Sequence, residues 1–369
     1  VKIELVELLE VRLPLVRPFR TSCGIDTERR TMLLHVVTDA AEGWAEFGGD
    51  PEPMYSPEFA AGAERVLADH LVPRVAALDR LTAARLAGAM APVKGNPMAK
   101  ALLETAILDA ECRAHAMPLA TYLGAVRDRV AAGVSVGITD TIADLLETVS
   151  GYLEQGYVRI KLKIEPGWDL EPVRAVRREF GDEVALQVDA NTAYSLTDAE
   201  HLRGLDDFGL VQIEQPLAED DLRGHAELAK LLRTPLCLDE SIHSARDAAT
   251  AIALGACRIV NIKPSRVGGY LEARRIHDVC VAQGIPVWCG GMLETGVGRA
   301  QNLALAALPG FVLPNDISAS SRYYAEDLTD AFRLDGGSLS VPDGPGSGVT
   351  VLPAVLGRHT VRTRKLSVR

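Results

Sequence analysis

Two lysines stand two positions apart in an apolar, β-branched run, Tyr157-Val158-Arg159-Ile160-Lys161-Leu162-Lys163-Ile164. Side chains alternate faces along a strand, so Lys161 and Lys163 share one face. Two ammonium groups on one face repel each other and lose hydration if the strand is buried. Burial beside a second cation lowers a lysine pKa, which suits a general base near neutral pH. An edge strand with its lysines in water is the structural alternative. Four more ionisable residues follow at apolar runs: Asp189, Glu214, Asp239 and Lys263. The intervals from Lys163 onward are 26, 25, 25 and 24 residues, by subtraction of those numbers. Each residue alone has a plainer reading, such as a helix N-cap for Asp189 or Asp239. Glu is not a favoured cap, and five in phase are hard to read as coincidence. Three carboxylates converging on one point raise one another's pKa unless a cation joins them. Oxygen donors without His or Cys fit a hard divalent ion, Mg²⁺ before Zn²⁺. A metal on the carboxylates and lysines on both sides suit removal of a proton next to a substrate carboxylate.

An interval near 25 residues is one strand plus one helix. Eight short apolar runs recur from Gly133 to Leu313: Gly133–Ile138, Val158–Ile164, Val184–Asp189, Leu210–Glu214, Pro235–Asp239, Arg258–Lys263, Ile285–Cys289 and Phe311–Leu313. Helical stretches alternate with them, which predicts an α/β fold with a parallel sheet. Eight strands in even succession favour a closed (β/α)7β TIM-type barrel over an open doubly wound sheet. The polar residues then sit together at the C-terminal rim, where barrel active sites lie. Before the barrel, residues 1–125 read as an α+β capping domain. Strands are expected at Val1–Leu13, Thr31–Val37 and Gly43–Phe47. Loops are expected at 17–24 and 48–53. Helices start at Ser56-Pro57-Glu58, read as an N-cap with Pro in first position. Met98, Leu102, Ile107 and Leu108 fall at helical spacing. The barrel is placed at 126–318, and 319–369 is expected to return to the capping domain.

The bulk composition narrows the function classes. The 369 residues are 47% hydrophobic and 24% charged, a globular composition long enough for two or three domains. A formal charge of −11 offers no basic patch for phosphates, so no nucleic-acid partner is expected. No long uncharged apolar run predicts a membrane span, and the N-terminus lacks the apolar core of a signal peptide. Six scattered cysteines, Cys23, Cys112, Cys237, Cys257, Cys280 and Cys289, suit reduced thiols in a cytoplasmic protein.

The pattern of Lys161-x-Lys163, Asp189, Glu214, Asp239 and Lys263 resembles the enolase superfamily, muconate-lactonising subgroup. The segments Gly156–Asp169, Val260–Tyr270 and Trp288–Gly296 resemble its actinobacterial o-succinylbenzoate synthase / N-acylamino acid racemase group. A lysine base with Mg²⁺ stabilising an ene-diolate is a known feature of this superfamily. The resemblance implies that Asp189, Glu214 and Asp239 ligate Mg²⁺, with Mn²⁺ or Co²⁺ able to substitute, and that Asn191 lies near. It implies Lys163 and Lys263 as acid and base on opposite faces of a small carboxylate substrate, with Lys161 holding the carboxylate and keeping the pKa of Lys163 low. Phe19 and Tyr55 would come from lid loops, Ser135, Gly291 and Met292 would line the pocket, and Arg266 would modulate. Dehydration to o-succinylbenzoate in menaquinone synthesis, N-succinylamino acid racemisation, or both, are the implied activities. A homo-oligomer, from dimer to octamer, is implied too.

Other readings carry less. Mandelate-racemase-like members have a base histidine after strand seven, where this chain has Cys289-Gly290-Gly291. Dipeptide epimerases carry two aspartates after strand eight, where Asn315-Asp316-Ile317-Ser318 has one. Muconate cycloisomerases share the lysine and metal set. A phosphate site at Gly290-Gly291 has only Arg299 nearby. A non-catalytic binding protein has no reason to keep both lysines beside three carboxylates.

Overall fold

The computed structural model describes residues 2–21 and 24–368, so Cys23 lies outside the described residues. Strands β1 (Ile3–Thr21), β2 (Gly24–Thr38) and β3 (Glu42–Glu46) form an antiparallel sheet with a late strand, β13 (Thr360–Leu366), in the order β13-β1-β2-β3. The sheet's apolar face packs on the Pro97–Ala114 helix. Met98, Leu102 and Ile107 are buried there, whereas Leu108 points from the same helix into the barrel core. Gly43 makes the close approach possible, since a Cβ there would stand 2.0 Å from the Ala106 carbonyl oxygen.

Two local expectations are corrected. Residues 17–21 are not a loop but the far end of β1. Pro14 and Pro18 lack the N–H a ladder needs, so pairing with β2 is interrupted between Pro14 and Phe19 and resumes at Phe19↔Asp26. The resulting bend carries the strand tip over the barrel, where the Arg20 carbonyl accepts from Ile138 N (3.0 Å). Ser56 does not cap a helix either. The first helix spans Ala60–Val66, and the Ser56 hydroxyl donates to the Glu58 carbonyl instead. The Glu58 carboxylate accepts from Met98 N and Ala99 N (2.8 and 3.1 Å), capping the longer Pro97–Ala114 helix.

After the short strand β4 (Arg129–Ala131), seven parallel strands follow: β5 (Gly133–Val136), β6 (Arg159–Lys163), β7 (Leu186–Asp189), β8 (Ile213–Glu214), β9 (Leu236–Leu238), β10 (Ile259–Ile262) and β11 (Val287–Cys289). They pair in sequence order as one sheet. The eighth strand is reduced to two parallel bridges, Val287↔Phe311 and Ala132↔Asn315. Those bridges still close the ring, through Gly133 N to Asn315 O (2.7 Å) and Asp316 N to Cys289 O (2.9 Å). Of the remaining tail, β12 (Ser338–Ser340) pairs with β4 and β13 pairs with β1. Among the described residues no helix is long and apolar enough to cross a membrane, and the five cysteines are unbridged and buried.

The first 120 residues are tied to the barrel by carboxylates at helix starts. Glu46 of β3 accepts from Thr295 N, the Thr295 hydroxyl and Gly298 N at the start of the Gly296–Ala306 helix. Glu104 accepts from Tyr270 N and Leu271 N (both 3.0 Å) at the start of the Tyr270–Ala282 helix. Helix N-termini favour such acceptors. Burial nevertheless pushes both acids up to about 7, against the donors that pull them down. Both bind a proton more readily folded than unfolded. Their contribution to stability is therefore full below the ordinary glutamate range and is lost as pH rises through 7. Wild type should lose ground to Glu46→Gln between pH 5 and pH 8, by about 2 °C or more in relative Tm. Calorimetric melting of both proteins at the two pH values measures this, and a difference that does not change with pH would refute it.

Candidate active site

Inward-facing residues of the ring stack in layers. Arg159, Lys161 and Lys163 alternate along β6, and the register sets Lys161 beside Gln187 and Lys163 beside Asp189. Asp189 in turn pairs with Glu214 across β7 and β8. Trp288 fills the interior, its indole N–H donating to the Cys237 sulfur (3.4 Å). Arg159 and Lys161 lie 5.2 and 4.9 Å from its ring centroids.

Above that layer, cations and carboxylates interleave. Lys163 Nζ donates to Asp189 Oδ2 (2.7 Å) and Asn191 Oδ1 (2.6 Å). Lys161 Nζ lies 3.1 Å from both Asp189 Oδ2 and Glu214 Oε2, and is also paired with Asp316. Lys263 Nζ is 2.9 Å from Asp239 Oδ2 and 2.8 Å from the Tyr55 hydroxyl. Arg266 Nη2 donates to Asp239 Oδ1 (2.5 Å). Asn261 Nδ2 donates to Glu214 Oε1 (2.7 Å). All of these side chains are buried or nearly so. Such burial is tolerable only because each charge meets an opposite one.

These contacts overturn one expectation. Burial does push Lys161 down, but Asp316, Glu214 and Asp189 push harder, and its pKa is raised well above the usual lysine value. Lys263 is raised likewise: burial lowers it, and Asp239 and the Tyr55 phenol outweigh that. The lysine next door in sequence matters less than the carboxylates across the strands. Asp189 is held below its ordinary range, because Lys163 and Lys161 overcome the burial that raises it. Glu214 goes the other way, raised by burial and by Asp189.

A cavity of about 470 Å³ opens above these groups. Its wall includes Lys161, Lys163, Asn191 and Lys263 from the rim, Ser135 at the end of β5, Gly291 and Met292 after β11, and Phe19 and Tyr55 from the first 60 residues. The Ser135 hydroxyl is buried and has no hydrogen-bond partner. Arg266 is buried as well, but it pairs with Asp239 and does not line the cavity. Asp189, Glu214 and Asp239 are fully buried against these amines and do not themselves line the cavity. Among the described residues no three acidic, His or Cys side chains are drawn together as a metal cage, and ammonium groups occupy the carboxylate oxygens. The donor set, carboxylate oxygens with no His or Cys, fits a hard divalent cation, which would compete with the ammonium and guanidinium groups that now hold those oxygens.

Backbone strain gathers at the same rim. Asn191 (φ 42°), Thr192 (φ 68°), Gln215 (φ 37°) and Leu293 (φ 57°) are left-handed without being glycine. The turn at Asn191 lets its amide bridge Lys163 to Glu240, donating to Glu240 Oε1 at 2.9 Å. Gln215 reaches across to accept from Asp239 N and Ser241 N (2.9 and 3.2 Å).

Asp316 is the residue that sequence reasoning missed. It pairs with Arg159 Nη1 (2.7 Å) as well as Lys161, and these cations hold its carboxyl at about 2 against the pull of burial. Its signal was its place, three residues past the last apolar run. Glu240 was missed too, though it adjoins Asp239 in sequence. Burial and Asp239 push it up to about 7.

A family profile described as "Enolase C-terminal domain-like" matches residues 144–355, and one described as "Mandelate racemase / muconate lactonizing enzyme, N-terminal domain" matches residues 3–124. An N-succinylamino acid racemase of Amycolatopsis sp is 61% identical, over 97% of this chain and 98% of that protein. An o-succinylbenzoate synthase of Geobacillus stearothermophilus is 47% identical, over 98% and 96%. The crystal structure of an enolase superfamily member from Listeria innocua superposes with a TM-score of 0.95 at 39% identity, covering 100% of both chains.

Gly290 leaves the space that the Lys263 side chain uses. A Cβ there would stand 2.7 Å from Lys263 Cε and 2.4 Å from Asn261 Oδ1. Gly290→Ala should displace the amine and lower turnover about a hundredfold, with the circular dichroism spectrum retained. Unchanged steady-state kinetics in this variant would refute that placement.

Proposed function

Because the chain belongs to the mandelate racemase / muconate lactonizing enzyme family of the enolase superfamily, we propose that it is an N-succinylamino acid racemase, acting by proton removal next to the substrate carboxylate. The observation that carries this reading is the pair of amines in one cavity. Lys163 ends the second of the eight ring positions and Lys263 follows the sixth, so they face the substrate from opposite sides.

In one direction the Lys163 amine takes the α-proton, leaving the electron pair on the substrate as an enolate. Lys263, held protonated by the carboxylates around it, gives its proton to the opposite face. One C–H bond breaks and one forms; Lys163 ends as the ammonium and Lys263 as the amine. The reverse direction exchanges their roles. Lys161 would hold the substrate carboxylate, and Asn191 would fix Lys163 through its 2.6 Å contact. Phe19, Tyr55, Ser135, Gly291 and Met292 would enclose the acyl group and side chain. Arg266 would modulate Lys263 through the Asp239 carboxylate that they share. Asp189, Glu214 and Asp239 would hold Mg²⁺, Mn²⁺ or Co²⁺, which supplies positive charge for the substrate carboxylate and for the charge that builds as the proton leaves.

The second activity in this reading is dehydration to o-succinylbenzoate, supported by the 47% relative of that name. Lys163 would take the proton and return it to the leaving hydroxyl as water, with Lys263 staying protonated beside the enolate.

The test is incubation of the protein with a divalent cation and an N-succinylamino acid in D₂O. Deuterium should enter the α-carbon with loss of optical activity. EDTA should abolish both and Mg²⁺ restore them. Lys163→Ala and Lys263→Ala should each lower racemisation by about 10²–10⁴-fold. No deuterium at the α-carbon, together with no o-succinylbenzoate from its cyclohexadiene precursor, would sink the proposal.

A further inference from the structure

A second cavity lies on the outer flank of the barrel. It is an open groove of about 490 Å³ between β1 and the Ile142–Glu154 helix, reaching Ser321 and Arg322. Arg322 is buried, and its guanidinium packs 5.6, 5.0 and 4.8 Å from the ring centroids of Phe19, Tyr152 and Tyr323. Nη2 donates to the Ser135 carbonyl (2.9 Å), whereas Nε is buried without an acceptor. Arg17, on an exposed stretch of β1, brings a second guanidinium to the groove.

Neither arginine has a carboxylate within ion-pair distance among the described residues. In a chain with 50 acidic and 39 basic residues, two converging arginines left without a counter-charge call for one. Tyr152 lines the groove with both arginines. Burial raises its pKa, and Arg322 and then Arg17 draw it back. Glu147 and Glu154 also line the groove but are exposed, and Glu154 is engaged by the Ser150 hydroxyl (3.1 Å).

We propose that this groove is a binding site for a small oxyanion, a carboxylate or a phosphate, held by the Arg17 guanidinium in the positive field of the buried Arg322, beside Tyr152. Guanidinium groups bind such oxyanions through charge-assisted hydrogen bonds, and Arg17 is exposed and free of a carboxylate partner among the described residues. The site is distinct from the catalytic cavity, because Arg322 and the rings of Phe19 and Tyr323 stand between the two.

Inorganic phosphate and succinate are the probes, each titrated calorimetrically into the full chain. Saturable binding with a Kd of about 1 mM is expected for at least one of them. Arg17→Ala should weaken it tenfold or more, and Arg17→Lys should weaken it less. Arg246→Ala removes the same charge from the exposed face of the distant Ala245–Leu254 helix and should leave binding unchanged. Saturation by phosphate alone assigns a tetrahedral oxyanion; saturation by succinate alone assigns a carboxylate. Absence of saturable binding, equal weakening by Arg17→Ala and Arg246→Ala, or wild-type binding in Arg17→Ala would overturn the proposal. The last result would place the ion among the rim lysines instead.

Discussion

Neutralisation of buried charge at the barrel rim is the constraint on which the rest depends. Asp189, Glu214, Asp239 and Asp316 face Arg159, Lys161, Lys163, Lys263 and Arg266, each carboxylate within ion-pair distance of at least one cation. Either set alone would be expelled to water or lose its charge. Interleaved, they hold one another at fixed positions on six strand ends and one turn. The arrangement also separates the lysines by environment. Lys161 is held by three carboxylates, whereas Lys163 meets one carboxylate and one amide oxygen. That difference gives the two lysines distinct surroundings although they sit two residues apart on one strand.

The cavity exists because a separate sheet closes over this rim. A proline-driven bulge in β1 brings Phe19 over the mouth, and the segment after β3 brings Tyr55 onto Lys263. Gly48 N donates to the Ser265 hydroxyl (3.0 Å), two residues from that lysine. Glu46 and Glu104 fasten the same layer to two barrel helices. The covering segment, the amine it touches and the helices behind it are thus joined by direct hydrogen bonds.

Much of this was legible in the sequence, for a physical reason. Pleat alternation and a repeat near 25 residues are enough to bring Lys163, Asp189, Glu214, Asp239 and Lys263 to one rim. Asp316 was not legible as part of it, because its partners lie about 155 residues earlier and its own strand survives only as two bridges. The bent end of β1 was read as a loop because proline and glycine mark both turns and bulges. The direction of the Lys161 pKa was missed because sequence displays the neighbouring lysine and hides the carboxylates on adjacent strands.

The central claim is that two amines act from opposite faces of one substrate. The most direct measurement is α-proton exchange in D₂O with each pure enantiomer of an N-succinylamino acid, followed by NMR in Lys163→Ala and Lys263→Ala. The account predicts that each variant exchanges only one enantiomer, that the two variants prefer opposite enantiomers, and that neither inverts the centre. A variant that exchanges both enantiomers at comparable rates, or racemises at the wild-type rate, would contradict it.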